Sequence, residues 1–157
     1  MPTDCISYQE SGYFTPLMND YLDQKTHLQS LYNRFPTVAN FKEQIAEKAE
    51  NYNHQNREVL VSILEKQYQN LSKSEWVVAN IESLKDKNTF TVTTGHQLNL
   101  FTGPLYFLYK IVSTINLTKE LKNQYPDKNF VPVYWMATED HDFEEINYFN
   151  FKTKKFR

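Results

Sequence analysis

The sequence predicts an α/β fold, and three observations carry that prediction. Apolar residues recur at helical spacing up to about Asn88. The stretch TFTVTT, 89–94, is entirely β-branched or aromatic, and FVPVYWMA, 130–137, is a continuous apolar run of strand length. A helix-spaced segment separates these two runs, so strand, helix, strand reads as a βαβ unit with parallel strands. The expected organisation is a helical amino-terminal segment over residues 1–88, followed by the βαβ unit over 89–157.

Each element has its own signal. Thr15-Pro16 supplies an N-cap with proline at the first helical position, and Leu17, Tyr21, Leu28, Leu31 and Tyr32 mark one face beyond it. A second helix is expected from near Thr37 to about Tyr52. A third carries Val59, Leu60, Ile63, Leu64, Gln67, Tyr68 and Leu71 on its apolar face. Ser72-Lys73-Ser74-Glu75 fits a capping box, with Trp76, Val77, Ile81 and Leu84 as the buried stripe of the helix after it. The segment from about Pro104 to Asn123 is helical, with Leu105, Leu108, Val112 and Ile115 as its apolar face. YPDKN then turns the chain into the second strand, where Pro132 removes a ladder donor and hints at an edge or an early position.

Composition narrows the function classes. One domain is the expectation for 157 residues, and 40% hydrophobic content with 15% aromatic residues excludes a disordered chain. A net charge of −2 leaves no electrostatic footprint for nucleic acid or an anionic membrane. The apolar runs are too short to span a bilayer, and the amino terminus lacks a signal-peptide pattern, so the expected location is the cytoplasm. Cys5 stands alone, which supports neither a disulfide nor a cysteine zinc site.

Two stretches carry the chemistry. Of the three glycines in the chain, two flank the loop GHQLNLFTG, 95–103, between the first strand and the following helix. Loops at the carboxyl edge of a parallel sheet are where ligands of open α/β sheets bind. Gly95 is expected to take a backbone angle closed to other residues. Thr102 or Gly103 should cap the helix, with Pro104 at its first position. Free amides there, with the helix dipole, suit an anion, and His96, Gln97, Asn99 and Thr102 add polar side chains. The loop is neither a P-loop nor GxGxxG, and a plain strand-to-helix turn also accounts for its glycines. The second stretch, ATEDHDFEE, 137–145, follows the second strand and packs five carboxylates and an imidazole into Glu139–Glu145. Alone it reads equally as a solvated acidic turn. Beside the first loop it reads as the facing wall of one pocket. His141 with Glu139, Asp140 or Asp142, and His96 from the first loop, could ligate a metal, but the spacing matches no tight motif. A magnesium ion arriving with a nucleotide suits the carboxylates better.

At these stretches a resemblance becomes specific. TVTTGHQLNLFTGPLYFLYKI and FVPVYWMATEDHDFEEIN closely resemble the bacillithiol biosynthesis cysteine-adding enzymes, a cysteine ligase family. NREVLVSILEKQY and NTFTVTTGHQ look like the Bacteroidetes-type form, and the resemblance covers about residues 12–150. It implies a Rossmann-like core of which this chain holds only the first βαβ unit, in a longer protein with a helical insertion and a C-terminal coiled coil. The activity it implies joins L-cysteine to the amino group of glucosaminyl-malate. Carboxylate and ammonium do not condense appreciably in water, so activation by ATP with magnesium is expected, with no permanent cofactor. The site it implies comprises His96, Asp140 and His141 as catalytic residues. Thr94, Gly95, Gln97, Asn99, Thr102, Gly103, Tyr106, Glu139 and Asp142 form the substrate or nucleotide surface, and Glu139 and Asp142 are the candidate magnesium ligands. The fragment alone is expected to be inactive, and the full-length protein to form a homodimer. The rival readings are a nucleotidyl-transferase-like or aminoacyl-adenylate-forming enzyme, and a non-catalytic helical binding module.

Overall fold

In the computed structural model, residues 4–99, 101, 103–140 and 142–157 are described. The chain divides into two compact units, Met1–Gln44 and Ile45–Arg157. The first contains α1 (Tyr8–Ser11), α2 (Pro16–Leu22) and a 3-10 turn (Thr26–Leu31). Ser7 and Glu10 close a reciprocal capping box at α1, and the Thr15 hydroxyl accepts from the Met18 amide at the start of α2. The helical face expected from Leu17 to Tyr32 is not continuous. Gln24 adopts φ 55°, which ends α2, so Leu28 is buried from the 3-10 turn while Leu17 and Leu31 stay exposed.

From residue 41 onward the chain forms α3 (Phe41–Asn51), α4 (His54–Gln67), α5 (Glu75–Ser83), β1 (Thr89–His96), α6 (Leu105–Gln124) and β2 (Asn129–Met136). A four-residue helix α7 (Phe143–Ile146) and a small antiparallel hairpin, β3 (Phe149–Phe151) with β4 (Lys154–Phe156), complete it. The helix, strand, helix, strand order matches the expected α/β class.

β1 and β2 pair in parallel, from Thr89 opposite Asn129 to His96 opposite Met136. Side chains alternate between the faces of a sheet, so this register assigns them. Val131 and Val133 point to the face covered by Leu60, Val61 and Leu64 of α4 and by Ile81 and Leu84. Tyr134 points the other way, where its ring meets Phe107 of α6 edge-on. The amides of Asn129 and Ala137 donate to the carbonyls of Asn88, just before β1, and His96, at its end. The same alternation turns Pro132 away from β1, which explains how a residue without an N–H sits mid-strand.

Three helix expectations shift in phase. Ser74, not Ser72, caps α5, accepting from the Val77 amide, so Glu75 is the first helical residue and no capping box forms there. Trp76 is consequently 81% exposed, while Leu84 is buried. In α4 the buried residue is Val61, with Leu60 and Leu64 partly buried beside it; Val59 and Ile63 face outward.

The largest shift concerns α6. The stripe Leu105, Leu108, Val112 and Ile115 is exposed, Leu105 at 64%, and the buried positions are Thr114, Thr118 and Leu121. Phe107, Ile111, Thr114, Thr118 and Leu121 share the three-and-four spacing of one face. The two threonine hydroxyls satisfy themselves by donating to helix carbonyls, Thr114 to Lys110 and Thr118 to Ile115, so their burial leaves no orphan donor.

Candidate functional site

The parallel register brings the two singled-out loops to one edge of the sheet. β1 ends at His96 and β2 at Met136, and the Ala137 amide donates to the His96 carbonyl at 3.2 Å. The Tyr134 hydroxyl donates to the same carbonyl at 3.0 Å. Burial pushes the Tyr134 phenol above its ordinary pKa, so it stays a protonated donor throughout the neutral range.

The two loop glycines serve different purposes. Gly95 lies inside β1 without a positive φ, contrary to the expected sharp turn. It sits at a close approach, since a Cβ there would lie 3.0 Å from both the Cβ and the carbonyl oxygen of Trp135, and Trp135 would have to give way. Gly103 has φ 60°, and a Cβ on it would lie 2.6 Å from the Asn99 Cβ, so angle and space both demand glycine. Phe101 also has a positive φ, 50°. The helix cap differs from expectation as well. Pro104 is itself the N-cap, no side chain caps α6, and Leu105 is the first helical residue.

The side chains form a connected set. His96 Nε2 lies 2.9 Å from the Tyr106 hydroxyl, and His96 Nδ1 lies 3.0 Å from Asn99 Nδ2. Asn99 Nδ2 also donates to the Gln97 carbonyl at 3.0 Å, which fixes the orientation of its amide. Nδ1 also lies 3.0 Å from the Gln97 carbonyl, which only accepts, so both tautomers find a partner at this nitrogen. With the imidazole proton on Nε2, the Tyr106 O–H is free to donate outward; with it on Nδ1, that O–H donates to Nε2. Phe107 meets the His96 ring edge-on at 5.8 Å. Lys110, one turn after Tyr106, donates to the Gly95 carbonyl at 3.0 Å. A lysine ammonium has three donors, so two remain for an anion.

The acidic loop is held from the other side. Gln97 Nε2 donates to Asp140 Oδ2 at 2.6 Å and to Glu145 Oε2 at 3.1 Å. Asp140 Oδ1 accepts from the Asp142 amide, and Glu139 Oε1 accepts from Trp135 Nε1. Both donors of the Gln97 carboxamide are therefore used within the protein.

The arrangement is an open shelf. His96, Gln97, Asn99 and Thr94 are half-buried, whereas Tyr106, Glu139, Asp140 and Asp142 are exposed. Concavities of about 340 and 220 Å³ lie elsewhere, sharing His54 and Arg57 and including Lys85, Lys87 and Asn88 near the amino end of β1. Thr102 and His141 fall outside the described residues. Among the described residues, no three His, Cys, Asp or Glu side chains converge as metal ligands. Lys110, Tyr134 and Glu145 were not singled out in the sequence. Lys110 had a signal, since it follows Tyr106 by four residues on the same helix face; the partner of Glu145, 48 positions away, had none.

Comparison with known proteins agrees with this architecture. The family model described as "Bacillithiol biosynthesis BshC, N-terminal Rossmann-like domain" matches residues 1–157. A protein of Flavobacterium johnsoniae named "Putative cysteine ligase BshC" is 72% identical over 157 residues, covering 100% of this chain and 30% of its own length. A protein of the same name from Cytophaga hutchinsonii is 46% identical over 151 residues, 96% of this chain and 28% of its own length. One from Bacillus mycoides is 38% identical over 139 residues, 88% and 25% respectively. The chain thus spans about 30% or less of the length of these curated relatives. No helix among the described residues is long and apolar enough to cross a membrane.

Proposed function

We propose, from the premise that this chain belongs to the bacillithiol biosynthesis BshC family, that the full-length protein is a ligase joining L-cysteine to the amino group of glucosaminyl-malate. The observation that carries the reading is the Gln97 bridge. It ties the acidic loop to the end of β1, the strand end that the His96–Tyr106 and Lys110–Gly95 bonds tie to the start of α6, at the carboxyl edge of a parallel sheet. The substrates carry the matching charges: malate carboxylates and nucleotide phosphates are anionic, and cysteine and glucosamine bring ammonium groups.

The chemistry follows from the groups present. ATP activates the cysteine carboxylate by transfer of a phosphoryl or adenylyl group, and the glucosamine nitrogen then attacks the acyl carbon. That nitrogen must first lose a proton, for which Asp140 or His141 is the base. The attack places negative charge on the acyl oxygen. With the imidazole proton on Nε2, that N–H polarises the Tyr106 oxygen and leaves the Tyr106 hydroxyl to donate to the acyl oxygen or to a phosphate. Lys110 and the uncapped first amides of α6 add positive potential for the same anions. The tetrahedral carbon then expels phosphate or AMP, leaving the amide.

A magnesium ion fits only as a companion of phosphates. Such an ion needs one or two carboxylates, and Glu139 and Asp142 are the residues that would hold it. Glu139 keeps one oxygen free of its tryptophan bond, and the Asp142 carboxylate has no hydrogen-bond partner among the described residues. Bound there, the ion would offset charge between carboxylates and phosphates.

The test is direct. Full-length protein incubated with glucosaminyl-malate, cysteine and magnesium-ATP should yield the amide by mass. Absence of product across nucleotides and divalent metals would sink the proposal. Cysteine-dependent exchange of pyrophosphate into ATP would identify an adenylate, and exchange of ADP an acyl phosphate.

A further inference from the structure

We propose that Gln97 is the positioning residue of this site: its single carboxamide holds the turn at Asp140 and the helix at Glu145 against the end of β1. The assignment rests on the ligase reading for its kinetic consequence, though its structural part stands independently.

A primary amide nitrogen carries two protons, and here each goes to a different carboxylate. The two acceptors occupy different halves of the loop. Asp140 belongs to the turn after β2, where its own backbone amide donates to the Ala137 carbonyl and its Oδ1 accepts from the Asp142 amide. Glu145 lies on α7, the four-residue helix that begins after Asp142. One side chain therefore fixes both the turn and the helix that follows it. Bonds from a neutral donor to carboxylates are charge-assisted and stronger than neutral pairs, and the 2.6 Å bond to Asp140 is at the short end of the range.

The choice of glutamine also has a physical reason. Asp140 and Glu145 both approach the same nitrogen, and two carboxylates so close repel one another. A lysine or arginine would neutralise the loop that is to receive an ammonium group. A glutamate would add a third negative charge. Only a neutral double donor draws both carboxylates together while leaving their charge in place. Gln97 is itself anchored, because its carbonyl accepts from Asn99, which is bonded to His96. The orientation of the acidic loop is thus tied to that of the imidazole.

The experiment uses the full-length protein carrying Gln97→Ala, Gln97→Glu, Glu145→Ala, and the Gln97→Ala/Glu145→Ala pair. Hydrogen exchange is read on peptides covering 137–146, and amide formation is followed from about pH 6 to 8. Gln97→Ala should accelerate exchange in that segment and lower the rate about tenfold to hundredfold, the range expected when a reacting group is misplaced by about an ångström. Glu145→Ala should do the same to a smaller extent, and the double variant should be no worse than Gln97→Ala alone.

Gln97→Glu provides a readout that a merely structural role would not move. Its new carboxyl, facing two others, has a raised pKa, so repulsion is present at high pH and relieved as pH falls. Below that pKa the protonated group can donate one hydrogen bond, so its activity should recover toward acid relative to the parent. Unchanged exchange in 137–146 for Gln97→Ala, or a Gln97→Glu pH profile superimposable on the parent, would overturn the assignment. If the parent makes no amide, the ligase reading fails, while the exchange data still decide whether Gln97 holds the loop.

Discussion

The two ends of the β1–β2 pair are built on opposite principles. At the amino end, charged side chains bond to the backbone. Arg57 donates to the carbonyls of Leu84, Lys87 and Thr89, and Lys122 donates to those of Pro126 and Lys128. At the carboxyl end, side chains bond chiefly to one another: His96 to Tyr106 and Asn99, Gln97 to Asp140 and Glu145, Trp135 to Glu139. Backbone anchoring consumes a charge to hold a chain crossing, leaving little for a ligand. A network of side chains keeps donors and acceptors whose protons and partners can change. The first end reads as structure and the second as chemistry.

The largest way to break that contrast is Tyr106→Phe in the full-length protein. It keeps the ring that packs against His96 and removes only the hydroxyl. Amide formation should fall about 10²–10³-fold, as for loss of one donor to a developing oxyanion, with the melting temperature nearly unchanged. A rate within threefold or so of the parent would remove Tyr106 from the chemistry.

Arg57→Ala should do the reverse. It deletes three carbonyl contacts and the guanidinium stacked over the Tyr52 ring. Hydrogen bonds from a charged group to backbone carry about 1.5–3 kcal/mol, so a loss of about 2–3 kcal/mol in denaturant unfolding is expected. The rate per folded molecule should remain that of the parent. A selective loss of rate would show that the two ends are not separable.

Gly103→Ala sharpens the comparison by linking stability to the site. An alanine at φ 60° that also clashes with Asn99 should cost about 1–2 kcal/mol. Because Asn99 must move, the imidazole loses its contact with the Asn99 amide, and the rate should fall beyond what unfolding explains.

The smallest effect serves as a control in the first unit, where a carboxylate and a hydroxyl pair without any site. Bonds from the Ser7 backbone amide, then the Ser7 hydroxyl, hold Glu10 below the ordinary carboxylate pKa. A depressed pKa gives a stabilising contribution that is full above the unfolded value and lost as pH falls through the folded one. The α1 cap should therefore weaken only on the acid side of the usual carboxylate range. Ser7→Ala should raise the Glu10 pKa toward the ordinary value in a carboxyl NMR titration, though the backbone bond retains part of the shift.

Local chemistry was legible where it is decided locally. TFTVTT and FVPVYWMA could be little other than strands, and parallel strands joined by a helix necessarily deliver both following loops to one edge. Thr15-Pro16 likewise marked the start of α2 because cap and proline act within one turn. Phase was less legible. α6 carries two apolar stripes, and periodicity marks a stripe without saying which one meets the sheet; Phe107, Ile111 and Leu121 won over Leu105, Leu108 and Val112. The capping box at Ser72 failed for a related reason, since Ser74 offers the same hydroxyl two residues later.

What the amino-acid sequence determined by itself is the order of α3 to α5, β1, α6 and β2 and the edge of the sheet at which the polar loops emerge. Side-chain period and turn chemistry are properties of neighbouring residues, so they need no tertiary partner. Only the tertiary structure decided that Gly95 answers to Trp135 and that Gln97 spends both its protons on carboxylates 43 and 48 positions away. Steric approach and hydrogen-bond pairing depend on distances across the sheet, and those exist only once the strands are laid side by side.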